Sequence, residues 1–162
     1  MSGMNSPDMP RWLSPGEMDT WLSLWGVLEW LPVRLDAQLR EEAGVSLAEY
    51  NALSQISIAP DASIRMSRLA VVANMKLPHL SRVITRLEKA GWVRRIPDPA
   101  DGRYTLAQLT EGGIDKVRDT APGHVEAVRR YVFDGLSPEQ AAALGEAAAR
   151  IVEAVDAPGV GR

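Results

Sequence analysis

The stretch PHLSRVITRLEKAGWVRRIPDPADGRYTLAQLT, residues 78–110, changes its hydrophobic period halfway, and this limits the folds open to the chain. The first part has a helical period. Leu80, Val83, Ile84 and Leu87 recur every three or four residues and form one apolar stripe. Pro78 stands near the helix start, where its missing N–H costs little, and Gly91 stands where a glycine commonly ends a helix. His79, Arg82, Arg86 and Lys89 then fall on the other faces. Two strands are expected next, over about Val93–Ile96 and Arg103–Leu109, around the loop PDPADG, whose Pro, Asp and Gly suit a hairpin turn.

Upstream, a short helix near Met66–Ala73 ends at the break NMKL, and another helix covers roughly Leu47–Ile58, closed by the turn APDAS. Short helix, tight break, second helix and two-stranded hairpin is the order of a winged helix-turn-helix. Three capping boxes mark helix starts: Ser14-Pro15-Gly16-Glu17, Ser46-Leu47-Ala48-Glu49 and Ser137-Pro138-Glu139-Gln140. The first opens a helix from Pro15 to Ala43, ended by Gly44, with Met18, Trp21, Trp25, Leu28, Leu35 and Leu39 on one stripe and an expected bend at Pro32. A helix that long finds few partners in so short a chain, which makes it a candidate for packing against a second subunit. Another long helix is expected from Glu111 to Phe133, with a possible interruption at APGH, and an Ala-rich one from Pro138 to about Val155. The expected fold is therefore mainly α with a small β-hairpin wing. It divides into an N-terminal dimerisation helix (14–44), a winged helix-turn-helix lobe (46–110), C-terminal dimerisation helices (111–156) and flexible tails (1–12 and 157–162).

Net charge is −3, which argues against indiscriminate coating of nucleic acid. The charge is unevenly placed, however. Residues 61–103 hold nine Lys/Arg against four acids, net +5, and the rest of the chain is −8. A basic centre between acidic flanks points to one surface for an anionic partner. The absence of cysteine excludes disulfides, thiolate metal sites and cysteine-based redox switching. No run approaches the roughly 20 apolar residues of a membrane span, and MSGMNSPDMPRW lacks the pattern of a secretory signal, so a cytoplasmic location without membrane contact is expected. His79 and His124 have no companion ligands in sequence, so neither metal nor cofactor is expected. No nucleophile–base pair, Gly-rich phosphate loop or paired-carboxylate signature argues for an enzyme.

In a helix-turn-helix the N-terminal residues of the second helix meet base edges in the major groove. Here these are Lys76, Leu77, Pro78 and His79, followed by Ser81 and Arg82. Arg86 lies four residues on from Arg82, on the same side. Lys and Arg donate to guanine O6 and N7, while apolar groups touch the thymine methyl. Backbone N–H groups around Ser67 and Pro78 suit phosphates. On the wing, Arg103 is placed to enter the minor groove, where negative potential is strongest, with Asp101 two residues earlier able to aim it. Arg94 and Arg95 alternate across a strand, so at most one faces the same partner; the bland alternative is that both are simply solvated.

The run RMSRLA…LPHLSRVITRLEKAGWVRRIPDPADGRYTLAQLTEGG resembles the winged-helix core of the multiple-antibiotic-resistance regulator (MarR) family, and the wing signature Asp101-x-Arg103 followed by Leu109-Thr110 is fairly specific to it. The tail APGHVEAVRRYVFDGLSPEQ resembles actinobacterial members, and the likeness covers about Leu13 to Val155. The resemblance implies a homodimer with interleaved terminal helices, bound to double-stranded DNA at a palindromic operator, with one recognition helix per half-site and a wing arginine in the minor groove. By position Arg103 matches that arginine, Asp101 its supporting acid, Arg82 the basic residue of the recognition helix, and Lys76–His79 the variable segment that sets sequence preference. The chain departs from the family pattern at two places. Gly102 replaces a residue that is often basic, and Lys76-Leu77-Pro78 replaces the usual Ser/Thr start of the recognition helix.

Family members commonly release DNA when a small aromatic or anionic molecule binds between the dimer helices and the DNA-binding lobe. Trp21, Trp25 and Trp30, with Tyr50 and Asn51, are the candidates for such a site, although aromatic residues at helical spacing more often belong to a core or a dimer interface. The expected function is a sequence-specific regulator, in the first instance a repressor. The alternative is a winged-helix protein-interaction module without specific DNA binding, which predicts acidic or apolar replacements on the recognition face; Arg82, Arg86 and Arg103 argue against it.

Overall fold

The computed structural model describes residues 10–155. The proposed tails therefore lie outside the described residues, except for residues 10–12, which have no regular structure and end in an exposed Trp12. The chain divides into two compact units, one up to Val33 and one from Arg34 onward.

Helix α1 spans Pro15–Ala43 and contains Pro32 within it. At its start Ser14 Oγ accepts from the Glu17 N–H while Glu17 Oε2 accepts from the Ser14 N–H, the reciprocal pair expected of the motif. Up to Val33 the helix carries exposed apolar side chains, among them Trp21, Leu22, Trp25, Leu28 and Trp30. Trp21 and Trp25 pack ring on ring, with centroids 5.4 Å apart and planes tilted by 40°.

From Arg34 onward the elements are the end of α1, α2 (Leu47–Ser57), β1 (Ser63–Arg65), α3 (Met66–Val72), α4 (Leu77–Lys89), β2 (Val93–Pro97), β3 (Thr105–Leu109), α5 (Glu111–Val128) and α6 (Pro138–Ala154). The stripe expected on α4 is its buried face: Leu80, Val83, Ile84 and Leu87 are all at most 1% exposed. They close a core with Ala52, Leu53 and Ile56 of α2, Leu69 and Ala70 of α3, and Val93, Ala107 and Leu109 of the sheet. Each such aliphatic side chain contributes about 1.5–3 kcal/mol on burial, so this stripe is what docks α4. Asn74 turns the chain between α3 and α4 at φ 50°, a left-handed conformation that asparagine tolerates better than most residues. Gly91 ends α4 at φ 81° in the same region, so the chain can reverse into β2.

Three details differ from the sequence reading. The wing is not an isolated hairpin: β1 pairs antiparallel with β3, Ile64 opposite Ala107, which gives a three-stranded sheet of order β1-β3-β2. Three residues are too few to show a period, and β1 exists because β3 has a free edge for it. Arg103 is not in a strand either, since β3 begins at Thr105 and Arg103 belongs to the tip. Finally, α5 is not interrupted at Ala121–His124. It runs through Pro122 and changes only at Arg129–Phe133, a π-helical turn before α6.

Candidate nucleic-acid interface

The helical pitch of about 100° per residue sets what α4 can offer. With Leu80, Val83, Ile84 and Leu87 buried, Pro78, Arg82 and Lys89 lie opposite, and all three are exposed. Lys76 is the N-cap of α4, and among the described residues no side chain caps its first turn; Leu77, Pro78 and His79 beside it are exposed. Ser81 is exposed, and Ser67 is exposed in the first turn of α3. Arg82 has no ion-pair partner among the described residues, so its guanidinium is available.

The wing tip is a pair of stacked turns. Asp98 N–H donates to the Tyr104 carbonyl, Asp101 N–H to the Asp98 carbonyl and Tyr104 N–H to the Asp101 carbonyl, at 2.9, 3.2 and 3.0 Å. Out of this tip stands Arg103, whose side chain is 84% exposed. Its Nε donates to Asp101 Oδ1 at 2.9 Å and its Nη2 to Asp101 Oδ2 at 2.6 Å, a two-pronged pair that aims the guanidinium. The pair holds the Asp101 carboxyl below the usual range, chiefly through the arginine's own hydrogen bond, and raises the Arg103 guanidinium. The sequence expectation that Asp101 orients Arg103 matches this geometry. At the base of the wing, Asp98 is buried and accepts from Ala100 N–H at 2.8 Å and from Arg65 Nε at 2.6 Å. The Arg65 guanidinium lies 4.2 Å above the Tyr104 ring, so β1 and the wing are joined by an ion pair and a cation–π contact. Neither Arg65 nor Tyr104 was among the sequence candidates. The basic run flagged the arginine, but nothing in sequence paired it with an acid 33 positions away.

Not all candidate arginines are free. Arg94 is exposed and donates to Gln108, its cross-strand neighbour, at 2.8 Å. Arg95 turns the other way, to α4, where it pairs with Glu88 and donates to the Ser81 carbonyl at 2.9 Å. Arg86 donates to Glu49 of α2 at 2.7 Å. Of the five arginines proposed from sequence, Arg82, Arg94 and Arg103 present their charge outward, whereas Arg86 and Arg95 are bound to neighbours within the lobe.

The aromatic candidates separate too. Tyr50 is buried, its ring 4.7 Å from that of His124, and the Asn51 amide donates to the Ala73 carbonyl at 3.4 Å. Trp21, Trp25 and Trp30 are exposed on α1. Among the described residues no group of three His, Asp or Glu is placed to hold a metal ion, and no helix is long and apolar enough to cross a membrane.

Comparison with known proteins gives this arrangement relatives. The MarR family model matches residues 45–105, from just before α2 to the start of β3. An HTH-type transcriptional regulator of Mycobacterium tuberculosis is 34% identical over 89 residues, which is 53% of this chain and 61% of that relative's own length. Among solved structures, Sco3205, a MarR family transcriptional regulator from Streptomyces coelicolor in complex with DNA, superposes with a TM-score of 0.84 at 42% identity, covering 91% of this chain and 92% of that one. AbsC, a MarR family transcriptional regulator from the same organism, also gives 0.84, at 35% identity over 91% of this chain and 99% of its own.

Proposed function

The chain belongs to the MarR family of transcriptional regulators, and from that premise we propose that it binds a palindromic DNA operator as a homodimer, in the cytoplasm, as a repressor. The observation that carries this reading is the pairing of two outward cationic features on one lobe. Arg82 stands opposite the buried stripe of α4, and Arg103 stands at the wing tip, held two-pronged by Asp101. The first suits guanine O6 and N7 in a major groove, and the second suits the narrow minor groove beside it. Lys76–His79 supply the residues that discriminate sequence, and Arg94 supplies a flanking phosphate contact. The relative solved with DNA supports the choice of partner.

A second copy is supported by the apolar side chains of α1 up to Val33, where Trp21, Leu22, Trp25 and Leu28 are all at least 44% exposed. Exposed apolar groups on this scale mark an interaction surface. A small aromatic or anionic effector that releases DNA completes the proposal; its support is the family.

The deciding experiment is fluorescence anisotropy of the purified protein on DNA from upstream of its own gene, against scrambled DNA at about physiological salt. A preference of roughly a thousandfold or more is expected of a specific regulator. Equal and weak binding to both, repeated on further upstream sequences, would instead favour a winged-helix module that binds protein.

A further inference from the structure

The recognition helix is gripped along both edges by side chains from other elements, and we propose that Arg95 and Glu49 are positioning residues that fix its rotation and so its base selectivity. The proposal rests on the DNA-binding reading above and deepens it.

About the α4 axis, the apolar residues Leu80, Val83, Ile84 and Leu87 define the buried direction. Ser81, Thr85 and Glu88 then form one edge, and Arg86 lies on the other. The first edge is held from β2. Arg95 Nη2 donates to the Ser81 carbonyl at 2.9 Å, to Ser81 Oγ at 3.1 Å and to Thr85 Oγ1 at 3.4 Å, and its Nη1 pairs with Glu88. One planar guanidinium thus spans two helical turns, which a lysine ammonium cannot do. The second edge is held from α2. Glu49 Oε1 accepts from Arg86 Nε at 2.7 Å, while its other oxygen accepts from Ser46 N–H at 2.8 Å as part of the α2 capping box. The glutamate side chain is only 15% exposed, so the pair is partly desolvated. Burial pushes the Glu49 carboxyl up, but the Ser46 and Arg86 hydrogen bonds outweigh it and keep the carboxyl ionised.

An apolar face alone lets a helix roll by some degrees, because dispersion contacts are individually weak and non-directional. Polar grips on both edges oppose roll in either sense, and they leave Arg82 on the outward face beside Pro78 and Lys89. Each grip also occupies an arginine that would otherwise attract phosphate. Arg86 and Arg95 thereby contribute to selectivity rather than to salt-dependent affinity.

The test compares wild type with Arg95→Gln, Arg95→Lys, Glu49→Gln and Arg82→Ala by anisotropy on upstream and scrambled DNA over a range of salt. Glu49→Gln is chosen because glutamine can still complete the capping box, so α2 keeps its start. The proposal expects Arg95→Gln and Glu49→Gln each to lower the specific-to-scrambled affinity ratio about tenfold, with the slope of log affinity against log salt unchanged in Arg95→Gln and unchanged or steeper in Glu49→Gln, which releases Arg86. Arg95→Lys should fail to restore the ratio. A slope reduced by about one per arginine lost would overturn the proposal, since it would place that guanidinium on a phosphate. So would an unchanged ratio in both variants, or full rescue by lysine. If wild type itself shows no preference, the DNA reading fails, and amide hydrogen exchange of residues 81–89 in the free protein judges the grip separately. There Arg95→Gln and Glu49→Gln should speed exchange relative to Arg82→Ala, and unchanged protection would end the proposal.

Discussion

Arg65 and Asp98, 33 positions apart, are joined by a 2.6 Å hydrogen bond from the arginine Nε to a carboxylate oxygen, which pins the root of the wing to the strand that leads into α3. Asp98 is buried, and its carboxyl sits below the ordinary range, first because the Ala100 N–H donates to it and then because of Arg65. A carboxyl lowered on folding adds stability above its unfolded value of about 3.8, and that stability is lost as pH falls through the lower folded value. Near neutrality the pin is therefore constant, and only substitution should loosen it. Asp98→Asn should leave the helical core folded, speed amide exchange in residues 98–104, and weaken operator binding several-fold. Normal wing protection in that variant would show that backbone turns alone hold the tip.

Arg103 should behave differently, because it reaches out from a tip whose turns are closed by backbone hydrogen bonds that do not involve its side chain. Arg103→Ala is expected to weaken DNA binding by about tenfold to a hundredfold on any major-groove sequence and to reduce the salt slope by about one. Asp101→Ala should lower affinity less, since the arginine's charge remains while its aim and a hydrogen bond to its own N–H are lost. Anisotropy titrations of the two variants at several salt concentrations make the comparison, and unchanged affinity of Arg103→Ala would remove the wing from the mechanism.

What sequence alone conveys here follows the range of the interaction. The α4 stripe and all three capping boxes involve residues three or four apart, so their pattern is visible before any fold is known, and the structure has each in place. The Asp101–Arg103 pair, two residues apart, was legible for the same reason. The roles of Arg86 and Arg95 were not. Their partners are Glu49 in another helix and Ser81, Thr85 and Glu88 across a strand–helix contact, and a basic residue in a basic run carries no mark of its partner. β1 stayed hidden because three residues show no period, and the π-helical turn at Arg129–Phe133 has no local pattern that separates it from continuing α-helix.

His124 should make stability depend on pH in a range where the carboxylates do not. Burial pushes its imidazole below the ordinary value of 6.5, its Nδ1 is buried with no hydrogen-bond partner among the described residues, and the Tyr50 ring packs against it. The unfolded chain takes up a proton near 6.5, and the folded chain does so only at lower pH. Stability from this group is thus complete above 6.5 and declines as pH falls from there towards the folded value. Urea denaturation between pH 7.5 and about 5 should show that decline in wild type and a flatter profile in His124→Phe. A wild-type profile already flat over this range would mean that the ring is as accessible to protons folded as unfolded.

Gly113 and Gly112, adjacent in the first turn of α5, should respond to alanine with opposite signs. A Cβ at Gly113 would lie 2.0 Å from the Trp92 carbonyl oxygen and 2.9 Å from its carbon, both backbone atoms. That carbonyl cannot easily retreat, because it accepts the Thr110 N–H at 3.0 Å. The Thr110 hydroxyl adds two further constraints, donating to the Gly91 carbonyl at 2.6 Å and accepting from the Gly113 N–H at 3.0 Å as the α5 cap. Gly113→Ala must then displace either the start of α5 or the α4–β2 corner, at a cost of about 2–4 kcal/mol. At Gly112 the nearest atoms to a Cβ are 3.6 Å away, an ordinary contact. Alanine there removes the entropic penalty of a helical glycine and should be neutral or stabilise by up to about 1 kcal/mol. Chemical denaturation of both variants reads the difference directly. If Gly113→Ala were as stable as wild type, α5 would have to start further from Trp92 than its cap geometry places it, and the corner that fixes the wing relative to α4 would be looser than the hydrogen bonds around Thr110 require.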